Sequence, residues 1–192
     1  MSGSDDEQAL FMYSTFAVMG HLAKATGIVT KAHIEQANLF MQQLGLSARQ
    51  QREAQAAFRD GKAVNFPLRA QVNEFYYCYR RRPDVLQLFL EIQLSIACTG
   101  GKMMAGQREL LWQIADILQI PRATLEQLLR AYQARSGSQP TEHTSTEQRQ
   151  QLARALQTPF YRQRALNDFS YHSSQQQWLL REISGWLKTS GF

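Results

Sequence analysis

Apolar residues recur every three to four positions between residues 8 and 135, which is the spacing that one face of an α-helix presents. No stretch alternates apolar and polar residues regularly enough to indicate a half-buried strand. Glycines and prolines divide the pattern into segments. The pattern therefore predicts an all-α fold of about seven helices, over residues 8–24, 30–44, 47–61, 68–80, from 83 onward, 105–118 and 121–135.

The second and third of these helices carry local start and stop signals. Thr30 begins the second helix and Gly45 ends it, while Ser47 and Gln50 have the spacing of a capping box that begins the third. The apolar stripe of the second helix gives its expected core positions. These are Ile34, Ala37, Phe40, Met41 and Leu44.

An internal repeat appears when the chain is shifted by 74 residues against itself. The shift places Phe40 on Ile114, and it places the turn 44–46 (Leu-Gly-Leu) on the turn 118–120 (Leu-Gln-Ile). The same shift places Ala-Thr-Gly at 25–27 on Thr-Gly-Gly at 99–101. Two such helical units bury a shared core that neither can form alone. The repeat predicts a pseudo-two-fold helical domain over residues 1–135.

The composition changes after this domain. Residues 136–146 are rich in Ser, Gly, Thr and Pro and form a linker by composition, and residues 147–192 form a helical tail. The last predicted helix of the tail has one apolar face, which includes Trp178, Ile183 and Trp186. Such a face must be covered, and the sequence leaves open whether the main domain or another chain covers it.

The overall composition excludes several classes of protein. With 192 residues, 44% hydrophobic residues and two cysteines, the chain is neither collagen-like, nor a disulfide scaffold, nor fully disordered. Cys78 and Cys98 lie in apolar helical patterns and are expected to be reduced core thiols. No apolar run approaches the roughly 20 residues that span a bilayer, and the start of the chain is acidic. We expect a cytoplasmic protein.

The formal net charge of +5 lies in one segment. Residues 47–83 contain eight Lys or Arg against three Asp or Glu, which accounts for the whole excess. The cations expected to bind a partner or an anionic surface are Lys62, Arg69, Arg80, Arg81 and Arg82. Anionic membrane, acidic protein and nucleic acid are all candidate partners, and a solvated helix face is the alternative.

No pattern of an enzyme active site is evident. The four histidines lie far apart in the chain, no glycine-rich phosphate loop follows a strand, and Cys98 has no histidine near it in sequence. We therefore predict no catalytic residue and no cofactor.

Three stretches of the sequence carry a resemblance to a known family. The stretches 57–69 (AFRDGKAVNFPLR) and 88–93 (LFLEIQ), with 18–24 (VMGHLAK), resemble the central region of the DjlA family of membrane-anchored, DnaJ-like co-chaperones. That region is TerB-like, an all-α fold of tandem helical hairpins. The resemblance covers about residues 9–135 and implies a protein-interaction role in chaperone or stress-response networks, at the cytosolic face of a bacterial inner membrane.

The same resemblance implies a position for a metal ion. TerB-like domains typically carry an Asp-Gly turn followed about seven residues later by an acidic residue, in each repeat. Here the first copy has Thr26 and Gly27 with His33, and the second has Gly100 and Gly101 with Gln107. Because a hard divalent cation prefers charged oxygen ligands, we expect no bound metal.

DjlA proteins end in a J domain, whose His-Pro-Asp loop contacts a DnaK-type chaperone. At the corresponding place the tail has His172 followed by two serines, so only the histidine matches. The resemblance therefore implies a degenerate or absent J domain, and we predict a non-enzymatic interaction module. The apolar face of the tail leaves a homodimer open as well. An active co-chaperone and a basic nucleic-acid-binding protein remain the alternatives.

Overall fold

The computed structural model describes residues 3–100 and 103–137, and these form helices joined by short turns. The seven helices are α1 (Gly3–Lys24), α2 (Lys31–Gln43), α3 (Ala48–Gly61), α4 (Leu68–Tyr79), α5 (Pro83–Ala97), α6 (Ala105–Ile117) and α7 (Arg122–Gly137). The described part of the chain contains no strand, so the all-α prediction is confirmed. The first helix begins five residues earlier than predicted, at Gly3 rather than Gln8.

α1 and α5 form the centre of the domain. Most residues are buried between positions 8 and 23 of α1 and throughout α5, where apolar side chains predominate. A buried glutamine links them, because Gln93 Nε2 of α5 donates to the Thr15 carbonyl of α1 over 3.2 Å. The other helices pack around this pair.

The repeat is confirmed in the helices that follow α1 and α5. α2 and α6 have 13 residues each and start 74 positions apart. Gly45 and Gln119 both have positive φ, of 62° and 56°. Each turn is closed by the same backbone hydrogen bond, from Leu46 N to Met41 O and from Ile120 N to Ala115 O.

A glycine with positive φ lies three residues after the end of α1 and three residues after the end of α5. Gly27 and Gly100 have nearly equal φ values of 89° and 92°, while Gly101, which the 74-residue shift places on Gly27, lies outside the described residues. The connection to α6 is one residue longer than the connection to α2. A positive φ favours glycine, which explains why both turns contain it.

The prediction for Ile34 is wrong. Its side chain is 49% exposed, and the neighbouring His33 is buried instead. Thr30 caps α2, and its hydroxyl and backbone N–H both contact the His33 side chain. This cap turns position 33 inward, so position 34 faces outward.

α1 and α3 approach each other so closely that only glycine fits at the contact. A Cβ atom at Gly61 would overlap the carbonyl of Ala17, and a Cβ atom at Gly20 would overlap the carbonyl of Phe58. Glycine weakens a helix interior relative to alanine by roughly 0.5–1 kcal/mol. Its presence inside α1 is therefore explained by this close backbone packing.

Candidate functional site

The five predicted cations do not form one patch. Lys62 directly follows the last residue of α3, and Arg69 lies in the first turn of α4. Arg80, Arg81 and Arg82 follow the last residue of α4. Eleven residues separate Arg69 from Arg80, which corresponds to about 16 Å along the axis at 1.5 Å per residue. The structure thus divides the predicted surface into two groups at opposite ends of α4.

At the first end, Lys62 is half-buried and Arg69 is exposed. The Lys62 ammonium lies 5.8 Å from the centroid of the Phe58 ring, and the Arg69 carbonyl accepts a hydrogen bond from Asn73. This end of α4 offers two separate charges rather than a shaped site.

At the second end, Arg82 has a structural partner. Its Nε and Nη2 atoms donate to the two carboxylate oxygens of Asp84, over 3.2 and 3.0 Å. The pKa of Arg82 is raised, first by this hydrogen bond, and the charges of Asp84 and Glu7 also raise it. A bidentate pair of this kind fixes geometry, so Arg82 helps to close the turn between α4 and α5.

Arg80 and Tyr77 form an exposed pair beside it. Tyr77 is 63% exposed, and the Arg80 guanidinium carbon lies 5.9 Å from the centroid of its ring. Arg80 Nη1 also donates to the Tyr77 carbonyl over 3.0 Å. The ring of half-buried Tyr76 lies 5.8 Å from that of Tyr77, and Arg81 is exposed. We call Tyr76, Tyr77, Arg80 and Arg81 the α4–α5 corner.

The opposite face of α4 anchors this corner to the core. Phe75 is fully buried and stacks on Phe89 of α5, with ring centroids 4.1 Å apart. Tyr79 is buried too, and its hydroxyl donates to the Glu7 carbonyl of α1 over 2.6 Å. The corner therefore presents two aromatic rings and two cations on a rigid base.

His33 and Gln107, at the positions where the family pattern has acidic residues, close helix ends. His33 Nδ1 accepts from the Thr30 N–H over 3.2 Å, and Gln107 Oε1 accepts from the Met104 N–H over 3.1 Å. Gln107 Nε2 also donates to the Leu22 carbonyl. Within residues 3–100 and 103–137, no cluster of three or more His, Cys, Asp or Glu side chains could hold a metal ion.

The two cysteines are free thiols, and each is half-buried. Burial raises the pKa of Cys98 to about 11 and is also the main cause of the raised pKa of Cys78. Since the thiolate is the nucleophile, neither group is activated for catalysis.

The remaining predicted site residues lie outside the described part of the chain. They are His172, Trp178, Ile183 and Trp186. None of the described helices is long and apolar enough to cross a membrane.

The comparison with protein families decides the identity of the domain. Residues 12–130, more than half of the chain, match the model of the tellurite resistance protein TerB. The chain belongs to the TerB family. This assignment agrees with the repeated helical architecture, and the family match ends within α7.

Individual relatives of this TerB-family chain are co-chaperones by name. It is 42% identical over 128 residues to the co-chaperone protein DjlA of Salmonella typhimurium, and 41% identical over 128 residues to that of Escherichia coli K12. The DjlA protein of Haemophilus ducreyi is 41% identical over 134 residues. Each match covers 67–68% of this chain and 47% of the relative, so the chain matches only about half the length of these proteins. No solved structure matches the chain significantly.

Three features of the TerB-family domain were not predicted from the sequence. The burial of His33 has a sequence signal in its spacing from Thr30, which is that of a capping box. The Tyr77–Arg80 pair also has one, since the two residues are three apart on one helix face. The engagement of Arg82 by Asp84 depends on the α4–α5 turn, whose shape the sequence did not define.

Proposed function

We propose that this chain is a non-enzymatic protein-interaction module of a DjlA-like co-chaperone, and that it binds a protein partner through the α4–α5 corner. The observation that carries the proposal is the exposed Tyr77 ring held against the Arg80 guanidinium. The co-chaperone names of its relatives support a role beside a chaperone. The partner proposed for this chain is a chaperone or an envelope-stress protein, bound at the cytosolic face of the inner membrane.

The physical chemistry of the corner favours a protein partner. Tyrosine and arginine are enriched among the residues that dominate binding energy in protein interfaces. Ordering a mobile side chain on binding costs roughly 0.5–1.5 kcal/mol, and this cost falls when the free protein already holds the side chain in place. Arg80 is held by the Tyr77 ring and carbonyl. The corner is therefore partly organised for binding before a partner arrives.

The local charge is more balanced than the sequence indicated. Arg82 pairs with Asp84, and the Glu7 charge acts on Arg82 as well. Two arginines, Arg80 and Arg81, remain for an acidic partner group, together with the aromatic rings. This arrangement supports a small, mixed contact with a protein better than an extended contact with a polyanion.

Charge reversal at the corner tests the proposal. We expect Arg80→Glu combined with Arg81→Glu to reduce partner recovery about tenfold or more, because the guanidinium contacts are lost and an acidic partner group is repelled. The measurement is quantitative co-purification of proteins with the tagged full chain from bacterial extracts, with folding checked by circular dichroism.

The chain supplies a matched control at the other end of α4. Lys62→Glu combined with Arg69→Glu changes the formal net charge equally, from +5 to +1, since each exchange removes two charges. This control variant should retain the partner. Equal losses in both double variants would show that net charge, rather than the corner, determines binding.

The second candidate is an active co-chaperone, which the names of the relatives favour. It requires the tail to stimulate a DnaK-type ATPase through His172. The module proposal predicts no stimulation by the full chain in a single-turnover ATPase assay. Stimulation that disappears with His172→Gln would establish the second candidate and replace the first.

A further inference from the structure

His33 closes the start of α2 through a hydrogen bond that only its neutral ring can make. Its Nδ1 atom accepts from the Thr30 backbone N–H over 3.2 Å. The Thr30 hydroxyl lies 3.1 Å from the same Nδ1 atom and accepts from the His33 backbone N–H. A proton on Nδ1 could still be donated to the hydroxyl oxygen, but it would remove the acceptor of the Thr30 N–H. Protonation therefore breaks one half of the cap.

The surroundings of the His33 ring are also unfavourable for a positive charge. His33 is 3% exposed, and its Nε2 atom is buried without a hydrogen-bond partner among the described residues. With Nδ1 acting as an acceptor, the proton of the neutral ring must lie on Nε2. The protonated ring would keep this unpaired N–H and add a positive charge in the interior, which is unfavourable without a partner.

The second repeat shares the half of this cap that runs from a side chain to a backbone N–H, and it does so without a titratable group. Gln107 occupies the equivalent position in α6, and its Oε1 accepts from the Met104 N–H over 3.1 Å. Its Nε2 donates to the Leu22 carbonyl over 3.2 Å, so both ends of the amide are used. The two caps thus differ in that one depends on protonation and the other does not.

The charged groups around α2 do not compensate a protonated His33. Lys31 and Glu35 of α2 form an ion pair on the exposed side. On the neighbouring α1, Lys24 donates to the Gly27 carbonyl, and on α5, Glu91 accepts from Gln87. Burial is the one cause of the lowered pKa of His33, without a contribution from any of these charges.

We propose that His33 is an acid-sensitive latch, whose protonation opens the first turn of α2 and the preceding loop at residues 25–30 while the start of α6 stays closed. The latch is specific to the first repeat. It gives the TerB-family domain a response to acid that its own second repeat lacks.

The direction of the pH effect follows from the lowered pKa. When α2 opens, the ring returns to its ordinary value of 6.5, so the open state binds a proton more readily than the closed state. Well above pH 6.5 both states are neutral, and opening does not depend on pH. Below it, opening becomes more favourable by at most about tenfold per pH unit, until the closed ring also protonates.

Hydrogen exchange of the full chain, followed by mass spectrometry between about pH 5 and about pH 8, tests the latch. Rates are converted to protection factors so that the intrinsic pH dependence of exchange cancels. We expect protection at residues 31–36 to fall below pH 6.5, by up to about tenfold per pH unit, and protection at residues 105–110 to stay constant. A parallel fall in both segments would overturn the proposal.

Two variants separate the latch from general acid sensitivity. His33→Gln copies the residue of the second repeat, and we expect it to remove the pH dependence at residues 31–36. His21→Gln, which removes a half-buried histidine bonded to the Gly61 carbonyl, should leave that dependence unchanged. Retained pH dependence in His33→Gln contradicts the latch. If that variant does not fold, NMR titration of the wild-type ring decides, since a His33 pKa above 6.5 excludes the mechanism.

Discussion

Gly61→Ala is expected to lower the free energy of unfolding by about 3 kcal/mol or more, at the upper end of the range for overpacked interiors. The added methyl group would overlap the carbonyl oxygen of Ala17, which is backbone and cannot turn away as a side chain can. α1 and α3 must therefore move apart, and the contacts along both helices loosen together. A domain with about 5–15 kcal/mol of total stability would retain little margin. Urea denaturation followed by circular dichroism measures the loss.

Gly20 and Gly106 provide the comparison for that measurement. Gly20→Ala should destabilise the domain by a similar amount, because its Cβ would overlap the Phe58 carbonyl from the other side of the contact. A Cβ at Gly106 has the Ala25 carbonyl as its neighbour, at an ordinary distance of 3.7 Å. Gly106→Ala should be neutral or stabilising by up to about 1 kcal/mol, since alanine favours the helix. Equal effects at the three positions would refute the close α1–α3 packing.

Phe75→Ala is expected to destabilise the domain by about 3–5 kcal/mol. The Phe75 ring is fully buried and contacts three aromatic rings, those of Phe11, Tyr79 and Phe89. Its removal leaves a cavity where α1, α4 and α5 meet, and the three rings lose their common neighbour. The same denaturation experiment measures this change.

Tyr77→Ala is the control on the same helix. Its ring is mostly exposed, so the expected loss is within about 0.5 kcal/mol. If Tyr77→Ala were as destabilising as Phe75→Ala, the orientation of α4 would be wrong, and with it the α4–α5 corner.

The parts of the fold that depend on local chemistry were predictable from the sequence. The Ser47 and Gln50 capping box, the Pro83 start of α5 and the Gly45 turn all appear where their residue types indicate. Local hydrogen bonds pair backbone groups at the capping box and at the Gly45 turn, and proline at the start of α5 has no N–H to leave unpaired. Such signals need no knowledge of distant contacts.

The rotation of a helix about its axis was less predictable. Ile34 and His33 both fit an inward position by spacing, and hydrophobicity alone favours isoleucine. The cap contact between Thr30 and His33 decides the orientation and leaves Ile34 exposed. A polar contact of this kind outweighs the apolar preference because it satisfies a backbone N–H that would otherwise lie unpaired.

The residue types of the candidate site were predictable from the sequence, but the separation of its five cations into two groups was not. Lys62 and Arg69 are near the arginines in sequence and are separated from them by the length of α4. The sequence predicted Arg82 as a cation that binds a partner, but in the structure Arg82 forms an ion pair with Asp84 across the turn. Only the three-dimensional arrangement separates the arginines of the α4–α5 corner from those that serve the fold.

Site-specific photocrosslinking in living bacteria tests the central claim most directly. A benzophenone amino acid replaces Tyr77 at the α4–α5 corner in one full-length variant, and Val64, which is 100% exposed between α3 and α4, in the other. The account predicts a discrete crosslinked protein from position 77 and none from position 64, with the position-77 product lost when Arg80 and Arg81 become glutamate. Equal products from both positions, or a product only from position 64, would contradict it.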